Sequence, residues 1–412
     1  MQTELADFIR DTPVGHEAEE ILRKCVHCGF CTATCPTYQL LGDELDGPRG
    51  RIYLIKQMVE GEAPSEKTRL HLDRCLTCRS CETTCPSGVQ YGRLLDIGRG
   101  LVARKVPRSG ADALARSTLK HLLPRAWLFK SALKLGQLVR PLLPSALRAK
   151  LPTPPRAAGT WPAPRHARRM LVLAGCAQPV LQPNINAAAA RVLDRAGVSL
   201  LTAAKAGCCG ALPFHLDDVE AARADARRNI DAWWPMLEDG AEAIVMTASG
   251  CGVHVRDYAH LLQDDSRYAP KAARVVLATR DIGEAVAAEG ERLLPLLADA
   301  AATKPRSRLA FHAPCTLQHG QKIRGVAETL LTAAGFELTP VADAHLCCGS
   351  SGTYSVLQPQ LATRLRDNKL AALTAGRPQD IASANIGCIT HLQSGTQLPV
   401  RHWIELLDER LN

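Results

Sequence analysis

Short apolar runs alternate with stretches of helical periodicity over residues 170–412. In the first half of this region the apolar runs read MLVLAG, VSLLTA and AIVMTASG, and VVLATRDIGEAV is predicted to be a short strand followed by a helix. In the second half they read RLAFHAP, FELTPVA and DIASANIG, followed by LPVRHWIELLDE. Strands that alternate with helices build a parallel sheet with helices on its faces, so this region is predicted to be α/β.

The same pattern occurs twice at equal spacing. Thirty-one residues separate Cys176 from Cys208, and thirty-one separate Cys315 from Cys347. In each copy the second of these cysteines opens a Cys-Cys-Gly triplet, and a further cysteine follows the third predicted strand. Equal spacing of unlike filler residues indicates a duplication. We therefore predict two tandem cysteine-rich modules, module 1 over residues 169–300 and module 2 over residues 301–412.

The first hundred residues show helical periodicity instead. The stretch 17–24 is predicted to be a helix that leads into the first group of cysteines. In the stretch 49–61, apolar residues recur at helical spacing, and Gly61 follows as a stop. Ser65 is in a position to cap a further helix. The overall prediction is an α+β multidomain protein, in which a helical ferredoxin-like domain over residues 1–100 precedes the two α/β modules.

The segment 101–168 differs from both regions in its charge. The formal net charge is +9, and residues 101–170 hold fifteen lysines or arginines and one acid, so the remainder carries −5. A single cationic segment points to a localised patch and not to nucleic-acid binding. Lys130 and Lys134 share one helical face, and apolar residues cover much of the rest. This pattern suits both an interfacial membrane anchor over residues 122–150 and a helix packed between domains.

Composition bounds the location of the protein. The chain has sixteen cysteines, and its amino-terminal stretch is acidic and polar, without an export signal. We therefore expect reduced thiols and a cytoplasmic protein. No apolar run approaches the ~18–20 residues of a membrane helix. Residues 151–167 are rich in proline and alanine and are predicted to be a linker. With the basic segment, these features favour a peripheral position on the inner face of the cell membrane.

Eight cysteines fall in two copies of the motif C-x2-C-x2-C-x3-C-P. In this motif three closely spaced thiolates wrap one cluster, and the fourth cysteine, followed by proline, ligates the other cluster. Zinc sites pair two C-x2-C knuckles and do not need a third cysteine at the same interval, so two [4Fe-4S] clusters are favoured over zinc or disulfides. The predicted ligands are crossed: Cys25, Cys28, Cys31 and Cys85 for one cluster, and Cys35, Cys75, Cys78 and Cys81 for the other.

The cysteines of the modules follow predicted strands, at the sheet edge where open α/β folds place their ligands. Four sulfurs at such an edge suit a further iron–sulfur cluster, a zinc ion or a redox dithiol. His254 and His391 each follow the last cysteine of their module by three residues. Either is a metal ligand, a proton donor to a bound quinone or a hydrogen-bonded bystander. The candidate cysteines are Cys176, Cys208, Cys209, Cys251, Cys315, Cys347, Cys348 and Cys388.

Two stretches, CVHCGFCTATCPTYQLLGDELDGPRGRIYLIKQM and RCLTCRSCETTCPSGVQYGRLLDIGR, resemble the iron–sulfur subunits of bacterial glycolate oxidase (glycolate dehydrogenase). The stretches CCGALPFH and CCGSSGTY are shared more widely, with iron–sulfur subunits of anaerobic glycerol-3-phosphate dehydrogenase, lactate-utilisation systems and heterodisulfide reductase. In that wider set the module commonly ends in C-x-x-C, whereas both copies here end in C-x-x-H. This departure argues against a heterodisulfide-type cluster.

The resemblance implies a division of labour. A separate flavin-containing dehydrogenase subunit would oxidise glycolate to glyoxylate, and this chain would pass the electrons singly through two [4Fe-4S] clusters toward a membrane quinone. The sequence agrees, because no G-x-G-x-x-G follows a strand and no P-loop is present to bind a dinucleotide. The alternatives are a subunit of a related lactate or glycerol-3-phosphate dehydrogenase, or a thiol–disulfide redox subunit.

Overall fold

A computed structural model describes residues 1–142, 154–155 and 157–412. The last part of the predicted anchor, residues 143–150, and residues 151–153 and 156 of the predicted linker lie outside the described residues. The description therefore covers the amino-terminal domain, both modules and the first two helices of the basic segment.

The amino-terminal domain is helical, as predicted. A helix at Pro13–Lys24 leads into the first cysteines, and the helix Pro48–Val59 ends two residues before Gly61. The hydroxyl of Ser65 accepts from the Thr68 amide, so the predicted cap is confirmed. The remaining helices of this domain, short ones included, are Asp7–Arg10, Pro36–Leu41, Glu66–Asp73, Ser80–Thr84 and Tyr91–Lys105.

Each module contains a four-stranded parallel sheet, which confirms the predicted fold class. The sheet orders are β2-β1-β3-β4 in module 1 and β6-β5-β7-β8 in module 2, with every pairing parallel. The strands are β1 Arg168–Val172, β2 Val198–Thr202, β3 Ile244–Met246, β4 Thr279–Asp281, β5 Ser307–His312, β6 Phe336–Leu338, β7 Asp380–Ser383 and β8 Val400–His402.

Helices cover the faces of both sheets. Val275 and Val276 belong to a helix, so the strand expected at VVLATR is wrong in its first half. Only Thr279–Asp281 extends as β4. The helices of the two modules are Gln178–Leu181, Asn184–Arg195, Ala211–His215, Val219–Glu238, Ser249–Arg256, Tyr258–Leu261, Ala269–Ala278, Ile282–Ala288, Gly290–Thr303, Val326–Ala333, Tyr354–Leu357, Pro359–Thr374, Ile386–Gln393 and Trp403–Leu411.

The two modules share one hydrophobic core. Val172 and Leu193 of module 1 belong to the same buried cluster as Leu309 and Trp403 of module 2. The helix Gly290–Thr303 crosses the predicted boundary between residues 300 and 301. Burial of apolar surface therefore joins the duplicated halves, and module 1 has a further buried cluster of its own, which includes Trp233 and Tyr258.

The basic segment forms two described helices, Gly110–Leu122 and Ala126–Val139. In the second helix only Leu133 is buried among the described side chains, and the helix contacts Gln178–Leu181 of module 1. Trp127, Leu135 and Leu138 are 70%, 63% and 77% exposed. None of the helices in the described ranges is a candidate to span a bilayer.

Candidate functional site: two groups of cysteines

Four predicted ligands line one cavity near the surface of the amino-terminal domain. Its volume is about 440 Å³, which includes the open solvent at its mouth. The helix Pro13–Lys24 ends at the first of these cysteines, and Gly29 turns the loop with a φ of 84°, which a residue with a side chain rarely adopts. Val26 and Phe30 at the rim are 69% and 61% exposed, which leaves this cavity accessible to a partner. The four cysteines are Cys25, Cys28, Cys31 and Cys85.

The other four predicted ligands line a second cavity, whose volume of about 300 Å³ also includes open solvent. Cys35 immediately precedes the helix Pro36–Leu41, in which proline occupies the first position. Proline is suited to that position because its missing amide hydrogen needs no partner there. The Cys-Pro pair thus directs one sulfur of the first motif away from its neighbours. The four cysteines are Cys35, Cys75, Cys78 and Cys81, and Cys81 also borders the first cavity.

For Cys31 and Cys81, the neighbouring sulfurs that shift the pKa belong to the same cavity as the cysteine itself. Burial, followed by the proximity of Cys25, Cys85 and Cys28, raises the pKa of Cys31 to about 11. Burial likewise raises the pKa of Cys81, and the next contributions come from Cys78 and Cys75. Thiols that burial keeps protonated are stabilised as thiolates when they ligate metal. The four cysteines at each cavity and the space between them fit an iron–sulfur cluster in each cavity.

Polar groups surround the sulfurs of the second cavity. The Tyr91 hydroxyl lies 3.6 Å from Cys75 Sγ, and the Thr37 hydroxyl lies 3.3 Å from Cys35 Sγ. Hydrogen bonds to ligating sulfurs are one of the means by which a protein sets a cluster's reduction potential.

The sequence reasoning missed a buried cation at the second cavity. Arg51 lines the cavity and is only 1% exposed. It lies 3.4 Å from a carboxylate oxygen of Asp46, which is itself fully buried and also paired with Arg74 at 2.7 Å. The sequence nevertheless contains a sign that Arg51 is buried. Arg51 precedes the buried Ile55 by four residues and Met58 by seven, on one face of the helix.

The second cavity adjoins module 2. Leu76 and Cys78 form one buried apolar cluster with Cys315, Cys347 and Tyr354. The Ser351 hydroxyl donates to the Leu76 carbonyl at 2.6 Å, and the Tyr354 hydroxyl donates to the Arg74 carbonyl at 3.1 Å. Cysteines of the amino-terminal domain and of module 2 therefore lie together in a contact that excludes water.

The module cysteines converge in both copies. In module 1 the side chains form a chain of contacts from Cys176 to Cys208, Cys209 and Cys251. In module 2 the corresponding chain of contacts runs through Cys315, Cys347, Cys348 and Cys388. The Sγ atoms of Cys315 and Cys347 are 3.9 Å apart. All sixteen cysteines are free of disulfides.

The Cys-Cys-Gly turns have the same geometry in both modules. The glycine amide donates to the first sulfur of the triplet at 3.4 Å, from Gly210 to Cys208 and from Gly349 to Cys347. Both glycines have positive φ angles, 93° and 87°. A Cβ on Gly349 would stand 2.7 Å from the Ala362 carbonyl oxygen. The glycine is therefore required both for the turn and for close approach to the following helix.

The two repeated histidines differ in their surroundings. His254 is buried between Phe214 and Tyr258, with ring centroids at 5.4 Å and 5.8 Å, and burial lowers its pKa to about 4. His391 instead pairs its Nε2 with the Ala362 carbonyl at 3.1 Å. The equal offset in sequence thus does not give the two rings equal environments.

Comparison with known proteins agrees with this division of the chain. Residues 21–89 match the family described as 4Fe-4S dicluster domain, and residues 170–256 and 309–393 each match the family described as cysteine-rich domain. The architecture is therefore that of an iron–sulfur protein with a dicluster domain and two cysteine-rich modules.

Full-length relatives define the family more closely. The chain is 54% identical, over all of its length and 99% of the relative, to the glycolate oxidase iron-sulfur subunit of Escherichia coli (strain K12). It is 30% identical, over 91% of the chain and 89% of the relative, to a probable glycolate oxidase iron-sulfur subunit of Bacillus subtilis (strain 168). Lactate utilization protein A of an Exiguobacterium strain matches only 57% of this chain, at 25% identity. The chain belongs to the family of glycolate oxidase iron-sulfur subunits.

Proposed function

We propose that this chain is the electron-transfer subunit of a glycolate-oxidising complex and holds two [4Fe-4S] clusters with crossed ligands. The 54% identity over the full chain supports the complex, and the grouping of eight cysteines around two cavities supports the ligand assignment. Cys25, Cys28, Cys31 and Cys85 would hold one cluster, and Cys35, Cys75, Cys78 and Cys81 the other. When bound, such clusters supply one-electron transfer.

In this proposal the residues around the cavities have separate tasks. The exposed rim at Val26 and Phe30 offers the first cavity to the partner, whereas Leu76 and Tyr354 exclude water from the second. Arg51 places a buried positive charge at the second cavity, which favours added negative charge there. The first site is thus suited to exchange with another subunit, and the second to transfer within the chain.

The ligand assignment is tested by serine substitution of one cysteine at a time. Protein purified without oxygen should contain about eight irons per chain, four for each cubane. Two electron paramagnetic resonance signals should appear after reduction. Cys85→Ser should alter the same signal as Cys28→Ser, and Cys35→Ser the same signal as Cys78→Ser.

A cysteine outside the domain provides the control. Cys251 is partly exposed, like Cys85, and Cys251→Ser should leave both amino-terminal signals unchanged. Uncrossed ligation would give the opposite pairing, with Cys85→Ser altering the signal that Cys78→Ser alters. Two irons or fewer per chain after reconstitution would overturn the cluster assignment itself.

Substrate and partner follow from the relatives. We propose that a flavin-containing subunit oxidises glycolate to glyoxylate and that this chain passes the electrons toward a membrane quinone. Copurification of the native complex should yield a flavin protein and glycolate-dependent reduction of a quinone analogue. Activity with lactate or glycerol 3-phosphate, but not glycolate, would assign the chain to a related dehydrogenase.

We further propose that the helix Ala126–Val139 places the subunit on anionic lipid. Trp127, Leu135 and Leu138 share an exposed face with Lys130 and Lys134. An aromatic residue, leucines and lysines together on an exposed helix face suit the boundary between headgroups and acyl chains.

Charge reversal tests the lipid contact. Lys130→Glu with Lys134→Glu should release the protein from vesicles that contain phosphatidylserine, because each basic residue near such a surface contributes about 1 kcal/mol. Lys67→Glu with Lys205→Glu changes the net charge equally at exposed positions elsewhere and should leave binding intact. Equal binding by both double variants at low salt would contradict the proposal.

A further inference from the structure

A histidine lies against two sulfurs of module 2. A ring nitrogen of His312 and the Sγ atoms of Cys348 and Cys388 are all within 4.8 Å of one another. The three residues are 2%, 1% and 4% exposed. His312 ends strand β5, Cys348 belongs to the Cys-Cys-Gly turn, and Cys388 lies in the helix Ile386–Gln393. Three separate elements thus bring one imidazole and two thiols together in the interior.

The imidazole is not satisfied by the protein around it. His312 Nε2 is buried and has no hydrogen-bond partner among the described residues. A buried polar atom without a partner costs about 1–3 kcal/mol. The environment differs from that of His391, whose Nε2 contacts the Ala362 carbonyl, and from that of His402, whose Nε2 contacts the Thr247 carbonyl. A cation that binds at Nε2 would give this nitrogen a partner.

The spacing suits a single ion. Zinc binds thiolate sulfur at about 2.3 Å and imidazole nitrogen at about 2.0–2.1 Å in tetrahedral geometry, so its ligand atoms lie about 3.5–3.8 Å apart. The imidazole nitrogen and the two sulfurs all lie within 4.8 Å of one another, which is compatible with this spacing. Cysteines of a cubane, in contrast, bind different irons and surround a larger volume, as the amino-terminal cysteines do around their cavities.

We propose that module 2 binds one zinc ion through His312, Cys348 and Cys388. Two thiolates and an imidazole form a donor set that zinc prefers, and three protein ligands leave a fourth position for an exogenous ligand. The Asn385 side-chain amide lies 3.6 Å from Cys388 Sγ, which is the outer-shell support that metal ligands commonly receive.

The site is specific to module 2. His312 precedes Cys315 by three residues, and the residue that precedes Cys176 by three in module 1 is Leu173. Leu173 is buried, at 4% exposure, so the position accepts a leucine in the same fold. Module 1 therefore supplies the two equivalent sulfurs but no imidazole at this place. The duplication also provides a substitution that removes the ligand without leaving a cavity.

The test is the metal content of the full chain, purified without oxygen from cells grown with zinc. The wild-type protein should contain one zinc per chain in addition to its iron, and His312→Leu should lose that zinc while keeping its iron. After exchange of zinc for cobalt, the thiolate-to-cobalt absorption band of the wild type should disappear in His312→Leu. His312→Cys, which restores a ligand, should recover metal binding with an altered band.

A matched histidine serves as control. His391→Leu removes an imidazole from the same module, three residues after Cys388, and should retain the zinc. Equal zinc in the wild type and His312→Leu would overturn the proposal, as would a wild-type protein with extra iron and no zinc. Because the amino-terminal signals report the eight cysteines of the other domain, failure here and failure of the cluster assignment are distinguishable.

Discussion

The amino-terminal domain meets the two modules through different kinds of contact. Toward module 2 the centre of the contact is apolar, with Leu76 and Cys78 against Cys315 and Tyr354, and hydrogen bonds lie beside it. Toward module 1 the contact includes the ion pairs Arg79–Asp257 at 3.0 Å and Arg93–Asp257 at 3.5 Å. The adjoining basic segment adds Arg108–Asp217 at 3.5 Å and Lys120–Asp218 at 3.0 Å. Two modules with one fold have thus diverged at the surfaces that face the same domain.

The difference teaches how each contact should respond to salt. Ions in solution screen partly exposed ion pairs but do not screen apolar burial. We therefore expect salt to weaken the contact with module 1 and to leave the contact with module 2 in place.

The largest effect is expected from the apolar contact. Tyr354 is 6% exposed, and Tyr354→Ala should lower the free energy of unfolding by about 3–5 kcal/mol, as for other large aromatic truncations. Tyr354→Phe removes only the hydrogen bond to the Arg74 carbonyl and should cost about 1 kcal/mol. Denaturation followed by tryptophan fluorescence measures both. An alanine variant as stable as the phenylalanine variant would show that this contact does not hold the domain.

An intermediate effect is expected where the modules meet each other. His402 Nδ1 accepts from the Ile404 amide, and its Nε2 lies 2.8 Å from the Thr247 carbonyl of module 1. Burial lowers the pKa of His402 from 6.5 to about 4. Below pH 6.5 the unfolded chain takes up a proton that the folded chain does not, so stability falls as the pH falls.

His402→Asn isolates this contribution. Between pH 6.5 and about pH 5, His402 should cost about 2 kcal/mol of stability, which follows from 1.36 kcal/mol per pH unit. Asparagine can cap the helix Trp403–Leu411 but does not titrate, so the variant should lose less stability over this range. The slope of unfolding free energy against pH is the measurement. Parallel slopes for both proteins would contradict the prediction.

The smallest effect is expected on the ionic side. Asp257→Asn leaves Arg79 and Arg93 without their carboxylate and should cost about 1 kcal/mol at low salt. The difference from wild type should shrink at high salt because ions screen partly exposed charges. Asp239→Asn, which disrupts a more exposed pair with Arg169, is the control and should have almost no effect. A loss at Asp257 that persists at high salt would show that this side, too, depends on packing.

Much of the fold could be predicted because local patterns decide it. Hydrophobic spacing predicted the helix Pro48–Val59 and the capping role of Ser65, and equal cysteine intervals predicted two modules. The proline after each fourth cysteine indicated where that sulfur leaves its group, and the structure places Cys35 and Cys85 accordingly in opposite cavities.

The rest depends on contacts between distant residues. Arg51 is buried because Asp46 and the His71 carbonyl receive its guanidinium, although its helical face alone could have suggested burial. Nothing near His312 in the sequence indicates that its ring meets Cys348 and Cys388, which follow by 36 and 76 residues. The core shared by the modules is likewise invisible to local periodicity, because it joins helices more than two hundred residues apart.

The interleaving of the amino-terminal sulfurs has a consequence for biosynthesis. The first cavity takes its last cysteine from position 85, and the second takes Cys35 together with the cysteines from 75 to 81. A ribosome that has released only the first motif has therefore completed neither site. With the proposed ligand sets, neither cluster would have its four cysteines until Cys85 has emerged, so insertion of iron and sulfide would follow synthesis of the whole stretch from Cys25 to Cys85.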